Sequence, residues 1–526
     1  MMVRPIWIRF AVVMVAITMS ATGAFAQKKK TPRGAHEHRE PRQALVIPST
    51  ANITGTWTTL DNGSPINPVH VALLHTGNLL VIQGSGNYPG NDVFAAAIFY
   101  PATGLMSTFP IYADMFCNGM AILPDGRPLV VGGTLTYDTS PTNFFTGSPM
   151  SALFDPAGGM FTRGPNMADG RWYPTATVLP DGTVMAISGL GIDGTMNGTV
   201  EIYDPATNRW NPAGDAFEDV QFFPRQHVLP NGKVFEAGWN PDTQMWDPAT
   251  HVWTPVATTN FGKDRQYGTS VLLPLSPADG YKAKVIIMGG GPEAQPSHIP
   301  GTATTETIDF SVPRPAWQWG PKMSAARIEM NATLLPNGKV LISGGSAVDE
   351  DVKTSALGAE MYDPATNSFS PAGTMAYARL YHSNTILLPD ATVLSLGGNP
   401  IRGDYEGHIE NYKPPYLFGP GGVPLPRPVI AQSPRAIRYG ATFTLTTLAA
   451  ANIERVVMMR PGAVTHSFDM EQRLVELTFK ASGDTLQITP PPNANLAPPG
   501  YYMIFILDKA GVPSIAKFVH MENATR

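Results

Sequence analysis

The sequence predicts an all-β protein in which a seven-bladed β-propeller precedes a C-terminal β-sandwich. Three observations support this prediction. A unit of two apolar strands around a tight turn recurs along most of the chain, and 51 Gly and 51 Pro among 526 residues supply many turns. Charged residues make up only 15% of the chain, below the roughly 25% of an average soluble domain, so few long helices are expected.

The repeated turns define the blades. Successive turns are 49, 56, 50, 48, 58 and 53 residues apart. They lie at Thr76-Gly77, Asp125-Gly126, Asp181-Gly182, Asn231-Gly232, Asp279-Gly280, Asn337-Gly338 and Asp390-Ala391. A second marker, an aromatic residue before Asp-Pro, occurs at Tyr203, Trp246 and Tyr362, with looser versions at Tyr100 and Phe154. Each unit therefore predicts two hairpins, and paired hairpins with a period of about 50 residues are typical of kelch-type propeller blades.

Ring closure distinguishes this fold from a row of stacked sandwiches, because open sandwiches would leave sheet edges exposed. After Pro414-Pro415-Tyr416 the repeat stops, and a Gly/Pro-rich connector leads into short alternating strands that end near His520. Strands of this kind over roughly 100 residues predict an immunoglobulin-like β-sandwich. We place the propeller at residues 49–420 and the sandwich at residues 425–522.

The N-terminus has the features of a signal peptide over residues 1–26. Arg4 and Arg9 precede an apolar run, and Ala24-Phe25-Ala26 forms a cleavage site. A membrane anchor is the alternative, but the apolar run is shorter than the roughly 20 residues that span a bilayer. We therefore expect a secreted or periplasmic protein without a membrane span after cleavage. Residues 27–48 are polar and are expected to be disordered.

The net charge of -5 and the pI near 6.1 provide no basic surface for a phosphate backbone, so nucleic acid is not an expected partner. A small or neutral substrate fits this composition better. The sequence favours a monomer but contains no motif that fixes the oligomeric state.

Three loops that precede the first strand of a unit contain chemically active side chains. Propellers bind ligands where such loops meet near the axis. The loops are Asp114-Met115-Phe116-Cys117-Asn118-Gly119, Gly170-Arg171-Trp172-Tyr173-Pro174 and Ala378-Arg379-Leu380-Tyr381-His382-Ser383. Cys117 is the only cysteine of the chain, and a lone thiol in an exported protein is unusual. A buried free cysteine is the simpler interpretation of Cys117 taken alone.

These loops resemble those of the galactose oxidase and glyoxal oxidase family of copper radical oxidases, and the likeness extends from about residue 50 to the end of the chain. The resemblance implies a thioether between Cys117 and the radical tyrosine Tyr173. It also implies one copper ion bound by Tyr173, by Tyr381 as axial ligand and by His382. The segment from Arg460 to Arg473 resembles the family's Thr-His segment, which implies His466 as the second histidine ligand.

The expected ligands suit the expected metal. Two imidazoles and phenolate oxygens in a tetragonal arrangement fit Cu(II) better than tetrahedral zinc. Oxidation of an alcohol by O2 moves two electrons, whereas one copper readily exchanges one, so a second redox group is needed. A tyrosine linked to cysteine would supply it, and Tyr381 could accept the hydroxyl proton of the substrate.

The likeness weakens in the substrate pocket. Galactose oxidases have a stacking tryptophan where this chain has Ser188-Gly189-Leu190-Gly191, so Trp239 or Trp172 must shield the radical. We favour Trp239, because in an extended segment Trp172 points away from Tyr173. Arg327 resembles the arginine with which the family holds a substrate oxygen, and a rim salt bridge is the alternative.

These features predict an oxidase that converts a primary alcohol or an aldehyde, either a small aldehyde or a glycan-end group, and reduces O2 to H2O2. A non-catalytic kelch propeller that binds carbohydrate or protein is the alternative, since a fold alone does not fix function. A glycosidase would need paired carboxylates, and Asp114 and Asp169 are weak candidates. Cys117 and Tyr173 together with two histidines favour the oxidase, because a binding module has no reason to keep them.

Overall fold

The seven repeated turns each join the first two strands of an antiparallel sheet in a computed structural model of the chain. The structure describes residues 47–86, 90–137, 145–292, 299–400 and 404–522. The predicted signal peptide and nearly all of the polar flank, up to residue 46, lie outside these residues. In the described part of the chain, no helix combines the length and apolar character needed to cross a bilayer.

Each of these seven sheets is one blade of the propeller, and the first strands of most neighbouring blades contact one another around the axis. The strands of blades 1 to 3 are His70–Leu73, Leu79–Gly84, Ala95–Tyr100 and Leu105–Pro110; Gly119–Ile122, Pro128–Val131, Ser151–Asp155 and Met160–Arg163; Thr175–Val178, Val184–Ile187, Thr199–Asp204 and Arg209–Asp215. The strands of blades 4 and 5 are Gln226–Val228, Val234–Glu236, Asp242–Asp247 and Val252–Thr258; Thr269–Leu272, Lys284–Met288, Thr305–Asp309 and Trp317–Trp319. The strands of blades 6 and 7 are Ile328–Leu334, Val340–Ser346, Gly358–Asp363 and Ser368–Thr374; Ser383–Leu387, Val393–Gly397, Ile409–Lys413 and Thr56–Thr59.

Blade 7 closes the ring with a strand from the beginning of the propeller. Thr56–Thr59 pairs antiparallel with Ile409–Lys413, so that Trp57 lies opposite Tyr412. The first strands are buried on both faces, whereas the fourth strands are largely exposed. This explains why the inner strands are continuous apolar runs, as expected for strands covered on both sides.

The C-terminal domain is a seven-stranded, sandwich-like arrangement around its own apolar core. Its strands are Ala436–Arg438, Phe443–Thr446, Ile453–Met459, Leu474–Ser482, Thr485–Thr489, Gly500–Asp508 and Lys517–Glu522. The connector contains the short pair Phe418–Gly419 and Val423–Pro424, and blade 2 contains the extra pair Thr134–Thr136 and Thr146–Gly147. The short helices are Ala51–Thr54, Pro277–Asp279, Val352–Thr354, Pro415–Leu417, Pro420–Gly422 and Ala450–Asn452. The predicted fold class is thus confirmed, while the domain bounds given above remain our proposal.

One hairpin of the C-terminal domain joins the propeller. Ala463–Thr465 and Phe468–Asp469 pair with each other, and Ala463–Thr465 also pairs with the first strand of blade 1. Blade 1 therefore has six strands, and its innermost edge is formed by the C-terminal domain.

A buried Arg–Glu ion pair recurs in four blades. In each, an arginine just before or within the start of the first strand contacts a glutamate in the third strand at 2.9 to 3.0 Å. The pairs are Arg171–Glu201, Arg265–Glu306, Arg327–Glu360 and Arg379–Glu410. Each glutamate also accepts a backbone N–H from the segment that enters its blade. The pair therefore fixes the entry loop onto the blade.

We expect Glu306→Gln to destabilise the protein by about 3 to 5 kcal/mol, because it leaves the buried Arg265 guanidinium without a counter-charge. Thermal unfolding followed by circular dichroism would measure the loss. Glu522→Gln is the control, since its partner Arg438 is 74% exposed and the unfolding midpoint should not move. Equal midpoints for the two variants would contradict a stabilising role for the buried pair.

Candidate active site

The structure brings together the five residues that the sequence singled out as metal ligands and cross-link partners. Cys117, Tyr173 and His382 stand immediately before the first strands of blades 2, 3 and 7, and Tyr381 precedes His382. His466 comes from the C-terminal hairpin. All are buried except Tyr381, which is partly buried. Four separate parts of the chain thus contribute to one site.

Cys117 lies against Tyr173. The backbone N–H of Tyr173 donates to the Cys117 carbonyl at 2.9 Å. Both side chains belong to one buried cluster, in which Cys117 Sγ lies 3.7 Å from Nε2 of His466. Both residues have a positive φ, 58° for Cys117 and 72° for Tyr173. Asp114 supports the cysteine loop by accepting the Phe116 N–H at 3.0 Å. The fold therefore presents a thiol to a phenol ring in a buried place.

The two tyrosines and the two histidines surround a common point. The hydroxyls of Tyr173 and Tyr381 are hydrogen-bonded to each other. The ring of His466 is 4.7 Å from that of Tyr173 and 4.6 Å from that of His382, measured between centroids. The ligand atoms of Cys117, His382 and His466 lie within 4.8 Å of one another. A single ion could contact this whole set.

His466 stands at the tip of the C-terminal hairpin. Thr465 and Phe468 are paired, and the two residues between them, His466 and Ser467, have φ values of 47° and 69°. A two-residue turn with two positive φ angles is the hairpin type that matches strand twist, although it usually contains Asn-Gly. His466 thus has a left-handed backbone conformation that would strain a glycine less, and this conformation places its imidazole at the tip of the hairpin.

The hydrogen bonds of the histidines fix which nitrogen could bind a metal. The Thr465 hydroxyl donates to the Val69 carbonyl at 3.0 Å, so it can only accept from Nδ1–H of His466, 2.5 Å away. The Asn399 amide nitrogen donates to the Asp404 carbonyl, so its oxygen accepts from Nδ1–H of His382 at 2.6 Å. Both rings therefore present the lone pair of Nε2. Partners on the second nitrogen are the usual support of metal-bound histidines, and the site fits a metal on these grounds.

Burial also sets the charge states. Desolvation by burial, and then the neighbouring His382 and His70, lowers the pKa of His466 well below its ordinary value, so the ring is neutral. Burial raises the pKa of Tyr173 and of Tyr381 well above the ordinary value of a tyrosine. The phenols are therefore neutral until a bound cation stabilises the phenolate form.

Trp172, rather than Trp239, lies next to Tyr173. The centroids of Trp172 and Tyr173 are 4.1 Å apart, and Phe145 stacks on the other face of Trp172 at 4.5 Å. Trp239 contacts Tyr267 and Phe222. Our sequence argument assumed an extended segment, but Tyr173 is left-handed, so the expected alternation of side chains does not hold.

Arg327 is occupied by its own blade. It is 1% exposed, and its guanidinium contacts Glu360 at 3.0 Å and the carbonyl of Gly344 at 2.8 Å. The arginines of blades 3, 5 and 7 make the same kind of contacts. This placement agrees with the ion-pair interpretation of Arg327, although the pair is buried instead of lying at the rim.

Sequence reasoning missed several residues of the site. Phe223 stacks on His466 at 4.4 Å, and Tyr267 packs edge-on against Tyr381 at 5.2 Å. His70 accepts the Cys117 N–H at 3.0 Å. Phe223 and Tyr267 could have been found from the repeat, because they precede the first strands of blades 4 and 5 as Tyr173 precedes that of blade 3.

Two family models match the chain. Residues 85–416 match the model described as "Glyoxal oxidase N-terminus", and residues 427–521 match "Galactose oxidase-like, Early set domain". A galactose oxidase of Gibberella zeae is 26% identical over 492 residues, which cover 87% of this chain and 69% of that protein. Aldehyde oxidase GLOX of Vitis pseudoreticulata is 27% identical over 537 residues, which cover 90% of this chain and 99% of that protein.

A solved structure has the same architecture. It is described as a novel fungal alcohol oxidase with catalytic diversity among the AA5 family, in complex with copper. The two chains are 28% identical and superimpose with a TM-score of 0.77, over 89% of this chain and 100% of the other.

We expect Thr465→Val to weaken Cu(II) binding roughly 10- to 100-fold, because the Nδ1–H of His466 loses its acceptor and the ring loses its orientation. Competition with a chelator of known affinity would measure the change. Thr465→Ser keeps the hydroxyl and is the matched control, with affinity close to that of the unaltered protein. Equal affinities in the Val and Ser variants would show that the hydroxyl does not position the ring.

Proposed function

We propose a function from the premise that the chain belongs to the family of glyoxal oxidases and galactose oxidases. The protein is a copper radical oxidase that acts on primary alcohols or aldehydes. The observation that carries this proposal is that Cys117 and Tyr173 pack in one buried cluster, within a set of side chains that could bind a metal ion. A carbohydrate-binding propeller would have no use for this contact.

The proposed ligands are Tyr173, Tyr381, His382 and His466. Copper, when bound, supplies one-electron redox chemistry, and the chain's own residues supply the rest. Nε2 of each histidine presents a lone pair because Thr465 and Asn399 accept from Nδ1. The strained backbone at Tyr173 and His382 fixes the direction of both side chains.

The second redox group would be a thioether between Cys117 and Tyr173. Its formation joins Sγ to a ring carbon, and the two hydrogens lost, with their two electrons, reduce O2 to H2O2. Such a thioether would allow an unpaired electron to spread over ring and sulfur, and the buried ring of Trp172 would keep water away from the Tyr173 ring.

Tyr381 is the proposed proton acceptor. The hydroxyl oxygens of Tyr381 and Tyr173 are hydrogen-bonded to each other, so a substrate hydroxyl could approach both. Tyr381 is the more exposed of the two tyrosines. In the overall reaction a primary alcohol gives an aldehyde, or a hydrated aldehyde gives an acid. The two electrons and two protons removed reduce O2 to H2O2.

We infer a small neutral substrate or a glycan-end group, and export by the predicted signal peptide. Arg327 is already paired with Glu360, so it is not available to hold an anionic group of a substrate. We also infer that the enzyme works as a monomer.

The cross-link can be tested directly by mass spectrometry. After aerobic loading of the purified protein with copper, we expect the peptides that contain Cys117 and Tyr173 to appear as one species that has lost two hydrogens. The same protein kept free of copper should give separate peptides and is the control. Separate peptides with a free thiol after copper loading would refute the cofactor.

We expect Cys117→Ser to bind copper with unchanged stoichiometry and to lose H2O2 production by several orders of magnitude, because no second redox group can form. Peroxide formation with a panel of alcohols and aldehydes would be measured beside copper content. Turnover equal to that of the unaltered protein would rule out the radical mechanism.

We expect Trp172→Leu to shorten the lifetime of the oxidised cofactor roughly tenfold, because water gains access to the Tyr173 ring. The decay of its visible absorbance would be followed after chemical oxidation. Trp239→Leu is the matched control, since Trp239 contacts Tyr267 instead of Tyr173. A faster decay in the Trp239 variant alone would reverse the assignment.

A further inference from the structure

Six residues with a positive φ form a ring around the site, one in each of blades 2 to 7. They are Cys117, Tyr173, Phe223, Tyr267, Glu329 and His382, with φ between 42° and 72°. Backbone hydrogen bonds connect neighbours in this ring, from Tyr173 to Cys117, from Phe223 to Tyr173 and from Glu329 to Tyr267. Such a backbone costs roughly 1 to 2 kcal/mol per non-glycine residue, and strain of this kind collects at functional sites.

Glu329 is the acidic residue among these six, and the proposed mechanism gives it no role. It stands between Tyr267 of blade 5 and His382 of blade 7 in the ring order, and it is 1% exposed. Within the described residues, neither of its carboxyl oxygens makes a hydrogen bond of good geometry. Its neighbours are the Asp349 carboxyl and the backbone N–H of Glu350. A buried carboxyl without a good donor is costly, so it needs an explanation.

Glu329 is connected to the candidate active site through Tyr267. Tyr267 packs edge-on against Tyr381, with ring centroids 5.2 Å apart, and its phenol is close enough to the carboxyls of Glu329 and Asp349 to interact electrostatically with both. Burial, and then the Asp349 carboxyl, raises the pKa of Glu329 well above its ordinary value, which favours the neutral acid. A neutral carboxyl offers one donor and one acceptor.

We propose that Glu329 determines substrate specificity, by hydrogen-bonding the second oxygen of a small, neutral, hydroxyl-bearing substrate such as a hydrated hydroxyaldehyde. This inference rests on the proposed oxidase function and names its substrate class. A site that can pair a substrate hydroxyl rejects analogues that lack one, because its buried polar group is then left unpaired. An aromatic alcohol without a second hydroxyl gives this carboxyl no partner.

The test compares copper-loaded Glu329→Leu and Glu329→Gln, after copper content and cross-link mass have shown both to be intact. Gln keeps a donor and an acceptor and is the matched control. With glycolaldehyde, we expect Leu to lower kcat/KM roughly 10- to 100-fold, mainly through KM, and Gln to lower it less than about tenfold. With benzyl alcohol, the Leu variant should stay within about threefold of the unaltered enzyme. An equal loss on both substrates, or no loss on glycolaldehyde, would overturn the proposal.

A binding measurement separates this inference from the oxidase function. 2,3-Butanediol is neutral and has no primary hydroxyl, so its affinity for the copper-loaded protein can be measured by calorimetry without turnover. We expect binding by the unaltered and Gln proteins and a loss of roughly tenfold or more in the Leu variant. If the protein binds the diol through Glu329 but forms neither cross-link nor H2O2, the oxidase proposal fails, whereas the hydroxyl-binding role of Glu329 stands. Diol binding that is identical in all three proteins would contradict the role of Glu329.

Discussion

The candidate site depends on the pairing of Val464 in the C-terminal hairpin with Val71 in the first strand of blade 1. This pairing places the hairpin at the inner edge of the propeller, and its tip carries His466 to the three propeller loops. The hairpin is held rigid at its base, because one oxygen of Asp469 accepts three backbone N–H groups, including that of Ala463 at 2.9 Å. The fourth proposed ligand, His466, therefore reaches the site only while both domains are folded together, and blade 1 differs from the other blades for this reason.

The strained backbone around the axis follows from the same requirement. A propeller brings the starts of its first strands close together, and an ordinary extended residue there would direct its side chain between blades. The left-handed conformation turns Tyr173 and His382 toward the common point instead. Hydrogen bonds from blade to blade, such as Tyr173 N–H to the Cys117 carbonyl, offset part of the cost. The ring thus couples the position of the thiol to that of the phenol before any covalent bond is made.

The turn residues and their spacing were sufficient to predict the blades. A turn such as Asn337-Gly338 is determined by its own residues, and the period is the number of residues between successive turns. The five residues named by the motif match also lie close together in the structure, while their roles as ligands and cross-link partners remain our proposal. Side-chain direction could not be predicted, because the left-handed Tyr173 places Trp172 beside it instead of opposite. The role of Arg327 also depended on distant structure, since its partner Glu360 is 33 residues away in the third strand of the blade.

The charges around the site limit the substrates that it can accept. In the proposed site, Nε2 of His382 and of His466 would each offer a lone pair, and the phenolates of Tyr173 and Tyr381 would balance the charge of a divalent copper. Arg327, which the sequence suggested as a substrate-binding residue, is already paired with Glu360. A carboxylate entering this buried region would lose its hydration without gaining a counter-charge, a penalty of several kcal/mol. A neutral polyhydroxyl substrate loses only hydrogen bonds that the protein can replace. The charges of the proposed site therefore favour the same substrate class that we propose for Glu329.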